Sequence, residues 1–388
     1  MIAVSHPTGN TFVRALLEGL EKEGRLVRFF TTVAGGKRRA YPIPAERIET
    51  SPLREITRLA LGRFGTPLTR HETGWASVDA VYRALDRRVA QWVNSETRGI
   101  QWVYAYEDGA LATFRAARAA GVRRAYELPI AYWETTRRLL REEAARLPEW
   151  EPTLGSTRDS DEKIARKTEE LDLAERVICP SRFVLESVPE RARDRCVMAP
   201  FGSPNGVNHK ETQRARRKGS LRVLFAGAMT QRKGLADLFK AMKLLRRTDI
   251  ELVVMGSAIA PMEFYRKQFD GFIYEPPRPR EAVLKLMASC DVLVLPSIVE
   301  GRALVQQEAM SRGLPLIATR NAGGEDLIEE GRTGFLVPIR APEEIAGRLE
   351  RLADDRELLE AMSEAARKAA ARRTWEAYAA GISAALRS

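Results

Sequence analysis

The chain has 388 residues, of which 44% are hydrophobic and 30% charged, and its formal net charge is +11 at pH 7. This length exceeds what one hydrophobic core usually supports, so two domains are expected. No apolar run approaches the roughly 20 residues that a membrane-spanning helix needs, which excludes an integral membrane protein.

The N-terminus and the cysteines both bear on the compartment. Met1–Ser5 is apolar, but it is too short for the core of a signal peptide and no basic stretch precedes it, so it predicts a strand. Cys179, Cys196 and Cys290 are odd in number and widely spaced in apolar surroundings, as reduced core cysteines are. We therefore expect a cytoplasmic protein with neither a disulfide framework nor a metal site.

The basic excess predicts an anionic partner, which is nucleic acid, a phospholipid surface or a phosphorylated small molecule. The sequence has no RNA-binding signature, zinc-finger spacing or helix-turn-helix pattern, so we do not expect a nucleic-acid partner. Arg137, Arg138 and Arg141 fall on one helical pattern. Together with the net charge they predict a peripheral contact with an anionic membrane, at its inner face.

The first half predicts a Rossmann-like domain over residues 1–200. Its strands are expected at Ile2–Ser5, Leu26–Thr31, Trp102–Tyr106, Arg124–Glu127 and Val177–Cys179. The interior segment Ala40–Thr73 is rich in Pro, Arg and Thr without clean periodicity, so it predicts a mobile segment near a substrate. Residues 201–220 are glycine-containing, polar and basic, as a linker is.

The second half alternates strand and helix patterns, which predicts a parallel sheet covered on both faces over residues 221–371. Its strands are expected at Leu221–Ala226, Ile250–Met255, Phe272–Tyr274, Val292–Leu295, Leu316–Ala318 and Phe335–Val337. The last helical pattern, in residues 372–388, follows a completed sheet. We expect it to pack back on the N-terminal domain.

The most informative segment joins two strands through a loop and a helix that starts near Ala303. A loop and a helix N-terminus at the carboxyl end of a parallel strand offer free amides and a positive dipole to a phosphate. Glu300 in the loop and Glu308 in the helix project to one side, one toward a sugar and the other toward a ribose. An isolated helix glutamate is usually solvated, but Gln306 and Gln307 add polarity to a face that should be buried. The segment therefore predicts a nucleotide-sugar site.

The second informative segment is the loop Gly227–Gly234, between the first strand and first helix of the C-terminal domain. Arg232 and Lys233 stand at the helix start, where the dipole disfavours a cation unless an anion shares the site. A solvated basic helix start is the plain alternative. In a cleft, the pair would neutralise charge on a departing diphosphate without a metal ion.

These two segments resemble the C-terminal domain of the family 4 glycosyltransferases, which are retaining enzymes of the GT-B fold. The likeness runs from about Arg222 to Pro338 and includes a glutamate pair with seven residues between its members. The resemblance implies an α/β protein with two Rossmann-like domains facing across a cleft, the first binding the acceptor and the second the donor. The motif residues are Pro296, Ser297, Glu300, Gly301, Glu308, Ala309 and Met310.

The resemblance also implies roles for individual residues. Glu300 would contact the transferred sugar, Arg232 and Lys233 would hold the diphosphate as catalytic cations, and Glu308 would bind the ribose. The remaining donor-site residues that it implies are Gly9, Asn10, Gly227, Ile273, Tyr274, Ser297, Gly301, Ala303, Leu304 and Val305.

The sequence departs from the family pattern at three places. Ala228 stands where an arginine usually follows the glycine of the phosphate loop, and Arg302 stands where a phenylalanine usually follows the Glu-Gly pair. The usual histidine of the N-terminal domain is missing from its expected position. Glu127 is the polar residue available there, and His6 is the histidine nearest a cleft, so both are predicted on the acceptor side.

The sequence thus predicts a retaining glycosyltransferase that moves a sugar from a UDP- or GDP-linked donor to a lipid-linked or saccharide acceptor. No cofactor or metal is expected, because no Asp-x-Asp pair lies beside the proposed phosphate loop. Two alternatives remain open, a sugar-nucleotide epimerase of the same fold and a non-catalytic donor-binding protein. A dehydrogenase is disfavoured, since no GxGxxG follows the first strand.

Overall fold

Two parallel sheets organise the molecule, one in each half of the chain. A computed structural model describes residues 1–35, 40–62, 66–96, 99–155, 159–204 and 219–387. Most of the predicted linker, residues 205–218, lies outside the described residues. Two sheets whose strands alternate with helices confirm the predicted two-domain α/β architecture.

The N-terminal sheet has seven parallel strands in the order β3-β2-β1-β4-β5-β6-β7. These strands are β1 Ile2–Ser5, β2 Leu26–Thr31, β3 Ile48–Thr50, β4 Trp102–Tyr106, β5 Arg123–Glu127, β6 Arg176–Cys179 and β7 Cys196–Met198. Its helices are α1 Thr11–Lys22, α2 Pro52–Leu61, α3 Val78–Ser95, α4 Leu111–Ala119, α5 Trp133–Arg146, α6 Asp161–Leu173, α7 Arg182–Ser187 and α8 Glu190–Arg193.

Strands β3 and β7, at the two edges of this sheet, were not predicted. Each has three residues, and none of the residues in either strand is fully buried, so neither carries a hydrophobic pattern that sequence reasoning could detect. The described residues of the segment Ala40–Thr73 include the edge strand β3 and helix α2, and its predicted mobility stays a prediction.

The C-terminal sheet has six parallel strands in the order β10-β9-β8-β11-β12-β13. They are β8 Leu221–Ala226, β9 Ile250–Met255, β10 Phe272–Glu275, β11 Val292–Leu295, β12 Leu316–Thr319 and β13 Gly334–Val337. The helices are α9 Leu235–Leu245, α10 Met262–Gln268, α11 Arg280–Ala288, α12 Leu304–Ser311, α13 Pro342–Asp354, α14 Arg356–Ala371 and α15 Trp375–Ala385. Strand β11 is buried along its whole length, because helices cover both faces of the sheet.

Two segments each pack on the domain opposite to the one in which their position in the sequence places them. Helix α15 lies on α1, where Arg25 donates to the Ser383 and Leu386 carbonyl oxygens at 2.7 and 2.9 Å. Conversely, Leu147 and Trp150, within the range predicted for the N-terminal domain, belong to the hydrophobic core of the C-terminal domain. The chain therefore crosses between the domains more often than a single linker requires.

The three cysteines are free, and Cys179 and Cys290 are buried. None of the helices in the described ranges combines the length and the apolar character needed to cross a bilayer.

Candidate functional site

The loop after β8 holds two cations at the carboxyl edge of the C-terminal sheet. A 3₁₀ turn, Gln231–Lys233, ends at Gly234, whose φ of +76° is left-handed. A Cβ on Gly234 would lie 2.7 Å from the Pro296 carbonyl carbon, so only glycine lets this loop approach the end of β11. Gly227 likewise leaves space for Lys233, because a Cβ there would lie 2.8 Å from its Cδ.

These cations meet Glu300, which follows β11. The Lys233 ammonium donates to Glu300 Oε2, and Arg232 Nη1 lies 3.3 Å from the same oxygen. Arg232 also donates to the Val299 carbonyl oxygen at 3.1 Å. We call Arg232, Lys233 and Glu300 the cation–carboxylate cluster.

The electrostatics of the cluster keep Glu300 ionised. Burial opposes its ionisation, but the adjacent Lys233 and Arg232 outweigh that effect and lower the pKa of Glu300 to about 2. At neutral pH the cluster thus consists of one carboxylate and two cations, so its net charge is positive. Such a site attracts an anion while offering the carboxylate to hydroxyl groups.

Helix α12 begins directly after the Glu300 loop, with Ala303 as its N-cap and no side-chain cap. The amides of Ala303, Leu304 and Val305 have no acceptor within the part of the chain that the structure describes. Unpaired amides at a helix start form an anion site. The strand order places this helix start beside the loop Gly227–Gly234, since β8 and β11 are neighbours.

Glu308 lies within α12 and does not join the cluster. Its Oε1 accepts a hydrogen bond from Arg280 Nε of α11 at 2.8 Å. The Arg280 side chain is about half exposed, so this pair can open at low cost. The ribose contact of Glu308 stays a prediction, and Arg280 is the competing partner that the sequence did not indicate.

The predicted base-contacting residues lie on the edge strand β10. Ile273 is exposed, and the Tyr274 hydroxyl donates to the Gly256 carbonyl oxygen at 3.1 Å. Strand β9 separates β10 from β8, so a base here, a diphosphate at β8 and a sugar at β11 would lie in order along the sheet edge. Ser297, which was also predicted to bind the donor, has a fully buried side chain.

Gly9 and Asn10 lie between β1 and α1 in the N-terminal domain. Arg14 Nε donates to the Gly9 carbonyl oxygen at 2.9 Å, and a Cβ on Gly9 would lie 3.0 Å from the Tyr41 hydroxyl. Asn10 is exposed at the start of α1, and its side chain makes no capping bond there. Contact of Gly9 and Asn10 with the donor stays a prediction.

His6 and Glu127, predicted on the acceptor side, are both buried inside the N-terminal domain. His6 Nε2 lies 3.8 Å from Glu127 Oε2, and the His6 ring packs against Tyr106. Burial lowers the pKa of His6 to about 3 and raises that of Glu127 to about 8, so both are neutral at pH 7. Tyr378 of α15 lines a small pocket of about 10 Å³ with Glu127. Acceptor contact by either residue stays a prediction, since both side chains are buried.

The loop after Glu300 is held against the N-terminal domain. A Cβ on Gly301 would overlap the Pro129 carbonyl oxygen and lie 2.7 Å from its carbon. Ser181 Oγ donates to the Gly301 carbonyl oxygen at 2.7 Å, and Arg302 Nη1 donates to the Pro180 carbonyl oxygen at 3.0 Å. These contacts bring the carboxyl ends of β5, β6 and β11 together, so the two sheet edges face each other.

Sequence reasoning noticed Arg302 only as a departure from the family pattern. Its side chain is fully buried 3.5 Å from Asp326, and Asp326 also accepts from the Arg182 amide at 3.0 Å. Burial lowers the pKa of Arg302 to about 10, which still leaves it charged at neutral pH. Ser181 accepts a hydrogen bond from the Val184 amide as the N-cap of α7. Serine is a preferred N-cap residue, so its capping role could have been predicted from the sequence.

A second contact between the domains involves Gln231, in the loop Gly227–Gly234. Gln231 Nε2 donates to Glu143 Oε2 of α5 at 2.9 Å and to Asp237 Oδ2 of α9 at 2.7 Å. Arg146 bridges the same two carboxylates, at 2.7 Å from Glu143 and 2.9 Å from Asp237. The residue before Arg232 is therefore fixed by α5 of the other domain.

One group among the described residues has the spacing of metal ligands, namely His71, Glu72 and Asp159 in the N-terminal domain. The Lys163 ammonium lies 3.0 Å from Asp159 Oδ1 and 3.0 Å from Asp79 Oδ1. Lys163 thus already pairs with Asp159 of this group, which lies in the other domain from the cation–carboxylate cluster.

Comparison with known proteins identifies the architecture. Over its full length the chain superimposes on sucrose-phosphate synthase of Thermosynechococcus elongatus, with a TM-score of 0.71, 17% identity and 98% of that chain covered. It also superimposes on Anabaena HepE in complex with UDP-glucose, with a TM-score of 0.66, 16% identity, and coverage of 100% of this chain and 99% of that one. The protein has the GT-B fold.

The sequence relatives are consistent with this fold. Residues 208–369 match the family model described as glycosyl transferases group 1. D-inositol 3-phosphate glycosyltransferase of Paenarthrobacter aurescens is 32% identical over 204 residues, which is 48% of this chain and 50% of that protein. An Arthrobacter relative of the same name is 36% identical over 148 residues, which is 35% of each chain. The matched part of this GT-B protein spans half or less of the length of these relatives.

Proposed function

We propose that this protein is a retaining family 4 glycosyltransferase that transfers a sugar from a nucleoside diphosphate donor to a lipid-linked or saccharide acceptor. The observation that carries the proposal is the cation–carboxylate cluster at the carboxyl edge of the C-terminal sheet, beside the unpaired amides of α12. The GT-B fold and the family match over residues 208–369 support it.

The proposed chemistry follows from the charges of the cluster. The bond between the anomeric carbon and the diphosphate oxygen breaks, the acceptor hydroxyl oxygen bonds to that carbon, and its proton leaves with the phosphate. Lys233 and Arg232 stabilise the negative charge that grows on the diphosphate, together with the helix amides. Glu300, ionised at neutral pH, accepts hydrogen bonds from sugar hydroxyls and so orients the ring. No step in this scheme requires a metal ion.

A UDP- or GDP-linked sugar is the proposed donor class. HepE, a structural neighbour, is described in complex with UDP-glucose, which supports testing the uridine donors first. Names of other relatives include sucrose-phosphate synthase and D-inositol 3-phosphate glycosyltransferase, so phosphorylated sugars and polyols are suitable soluble acceptors for a first assay. We place the enzyme in the cytoplasm, at the inner face of the membrane.

Donor screening and product analysis test this proposal. Thermal shift against UDP, GDP, ADP and their sugars should single out one base, since a ligand at 100 times its dissociation constant stabilises by about 2.7 kcal/mol. The selected donor is then incubated with and without acceptors, and the products are analysed by NMR. An acceptor-dependent product with the donor's anomeric configuration supports the proposal.

The other outcomes identify the alternatives. A changed sugar nucleotide without acceptor indicates an epimerase, and donor binding without transfer or hydrolysis indicates a binding protein. A product of inverted configuration would contradict the retaining mechanism but would still support a glycosyltransferase.

A further inference from the structure

Helix α2 presents its apolar side chains to solvent. Leu53, Ile56 and Leu59 are 68%, 55% and 47% exposed. Glu55 is the one buried residue of this helix, all ten residues of which the structure describes, and it accepts from Arg58 Nε and Nη2 at 2.7 and 2.9 Å. A surface helix of a globular domain normally turns its apolar side inward. This helix does the reverse, so its apolar face stays exposed among the residues that the structure describes.

The exposed apolar surface continues beyond the helix. Of the eleven large hydrophobic residues that are exposed in the described chain, six lie between positions 53 and 78. The Arg54 guanidinium lies 4.6 Å from the Trp75 ring centroid and so links the helix to the following turn. We call these six residues the apolar patch, which consists of Leu53, Ile56, Leu59, Leu68, Trp75 and Val78.

The charge around the apolar patch is positive. Arg70 and Arg87 are exposed, and neither has an acidic partner among the residues that the structure describes. Four nearby carboxylates are engaged and not exposed, whereas Glu162, which lines a pocket together with Arg87, is exposed. Glu55 binds Arg58, Glu72 binds Ser160, Asp79 binds Lys163, and Asp86 accepts from the Ala112 and Thr113 amides.

We propose that the apolar patch is a membrane-contact surface that lays α2 in the interface of an anionic bilayer. Exposed aliphatic side chains and a tryptophan beside Arg70 and Arg87 suit an interfacial helix on an anionic surface, and the carboxylates closest in sequence to the apolar patch are already engaged. A second copy fits less well, because a symmetric contact would bring the same arginines of both copies together. The inference deepens the proposed function, since it brings the acceptor domain to lipid-linked acceptors. Vesicle binding itself, however, requires neither donor nor transfer.

This surface differs from the one that the sequence indicated. Arg138 of α5 lies 2.9 Å from Glu142, and Glu142 also accepts from Arg340 of the C-terminal domain at 3.0 Å. Helix α5 is thus engaged between the domains, with part of its basic charge neutralised there.

Co-sedimentation of the full-length protein with vesicles tests the proposal. The vesicles are phosphatidylcholine alone or an equimolar mixture of phosphatidylcholine and phosphatidylglycerol. The double variant Leu53→Ser with Ile56→Ser is compared with a matched control, Leu244→Ser with Ile259→Ser, whose two residues are each 52% exposed in the C-terminal domain. We expect binding to the anionic vesicles, weakening as salt rises. The patch variant should lower the partition coefficient by ~tenfold or more, and the control should leave it unchanged.

Three results would overturn the membrane surface. The first is that the wild type does not bind anionic vesicles at low salt, and the second is that the patch variant binds them as well as the wild type does. The third is that the protein forms a dimer that the patch variant disrupts, while vesicles are not bound. Because the substituted side chains are exposed, both variants should melt near the wild type. Transfer to a water-soluble acceptor should also persist in the patch variant. If vesicles bind but no sugar is transferred, the proposed function fails and the surface stands.

Discussion

Gly301 lies against Pro129 so closely that a side chain at position 301 would overlap the Pro129 carbonyl oxygen. The first of these residues follows Glu300 in the C-terminal domain, and the second follows β5 in the N-terminal domain. The approach of the two domains is therefore coupled to the position of the proposed sugar-contacting carboxylate. Gly301 resembles a family motif position, but the structure gives it a steric reason to be glycine.

Substitution Gly301→Ala should separate the two sheet edges and lower turnover. A misplacement on the order of 1 Å at a reacting centre costs on the order of a hundredfold in rate. The affinity for the nucleotide should change less, because the loop Gly227–Gly234, which is proposed to bind its phosphates, lies wholly in the C-terminal domain. The kcat and KM of the variant, with calorimetry of UDP or GDP, measure both effects.

The matched control for this experiment is Gly347→Ala in α13, where a Cβ meets nothing within 4 Å. Alanine there should raise stability slightly, since it favours the helix by about 1 kcal/mol over glycine. Normal turnover by Gly301→Ala would show that the contact with Pro129 does not determine the geometry of the cleft.

The two glutamates should fail differently when replaced. Glu300→Gln should lower turnover more than nucleotide affinity, because its partner is the transferred sugar. Glu308→Gln should weaken the nucleotide, since a charge-assisted bond to a ribose hydroxyl contributes about 1.5 to 3 kcal/mol, or about ten- to a hundredfold in affinity. Calorimetry with the free nucleoside diphosphate separates the two, provided that each variant melts near the wild type.

The Arg280–Glu308 pair supplies the control for the ribose assignment. If a ribose competes with Arg280 for Glu308, Arg280→Gln should bind the nucleotide at least as tightly as the wild type. Weaker binding by Arg280→Gln, or unchanged binding by Glu308→Gln, would place the ribose elsewhere.

Catalysis should not need a divalent metal if Lys233 and Arg232, which both contact Glu300, neutralise the diphosphate as proposed. Activity in EDTA should equal activity without it. Loss in EDTA that manganese restores would contradict this expectation. Lys233→Gln tests the same point from the protein side and should lower turnover sharply with or without added metal.

The buried Glu127 predicts a pH-dependent stability. Its pKa rises from 4.5 to about 8 on folding, so between these values the folded state binds more protons and stability falls as pH rises. Glu127→Gln removes this titration. The melting temperature of the variant relative to the wild type should increase from pH 4.5 to pH 8 and level off above. A difference independent of pH would mean that Glu127 is ionised in the folded protein.

Local sequence determined much of the C-terminal domain. The predicted strands from Leu221–Ala226 to Phe335–Val337 match β8 to β13 within one residue at their ends, because continuous apolar runs mark strands buried on both faces. The loop Gly227–Gly234 and the start of α12 also followed from local rules. The short edge strands β3 and β7 did not, since half-buried triplets carry no periodic signal.

Only the tertiary structure decided which partners these residues meet. The Arg280–Glu308 pair spans 28 positions, the Lys233–Glu300 pair spans 67, and Arg340 reaches Glu142 across 198. Sequence spacing says nothing about such distances. The exposed stripe of α2 shows the same limit, because the sequence of this segment has no clean periodicity and predicted no helix, and only the structure shows which side of α2 faces the domain. The buried side holds the Glu55–Arg58 pair, because the helix packs against the rest of the domain through that polar face and leaves Leu53, Ile56 and Leu59 exposed.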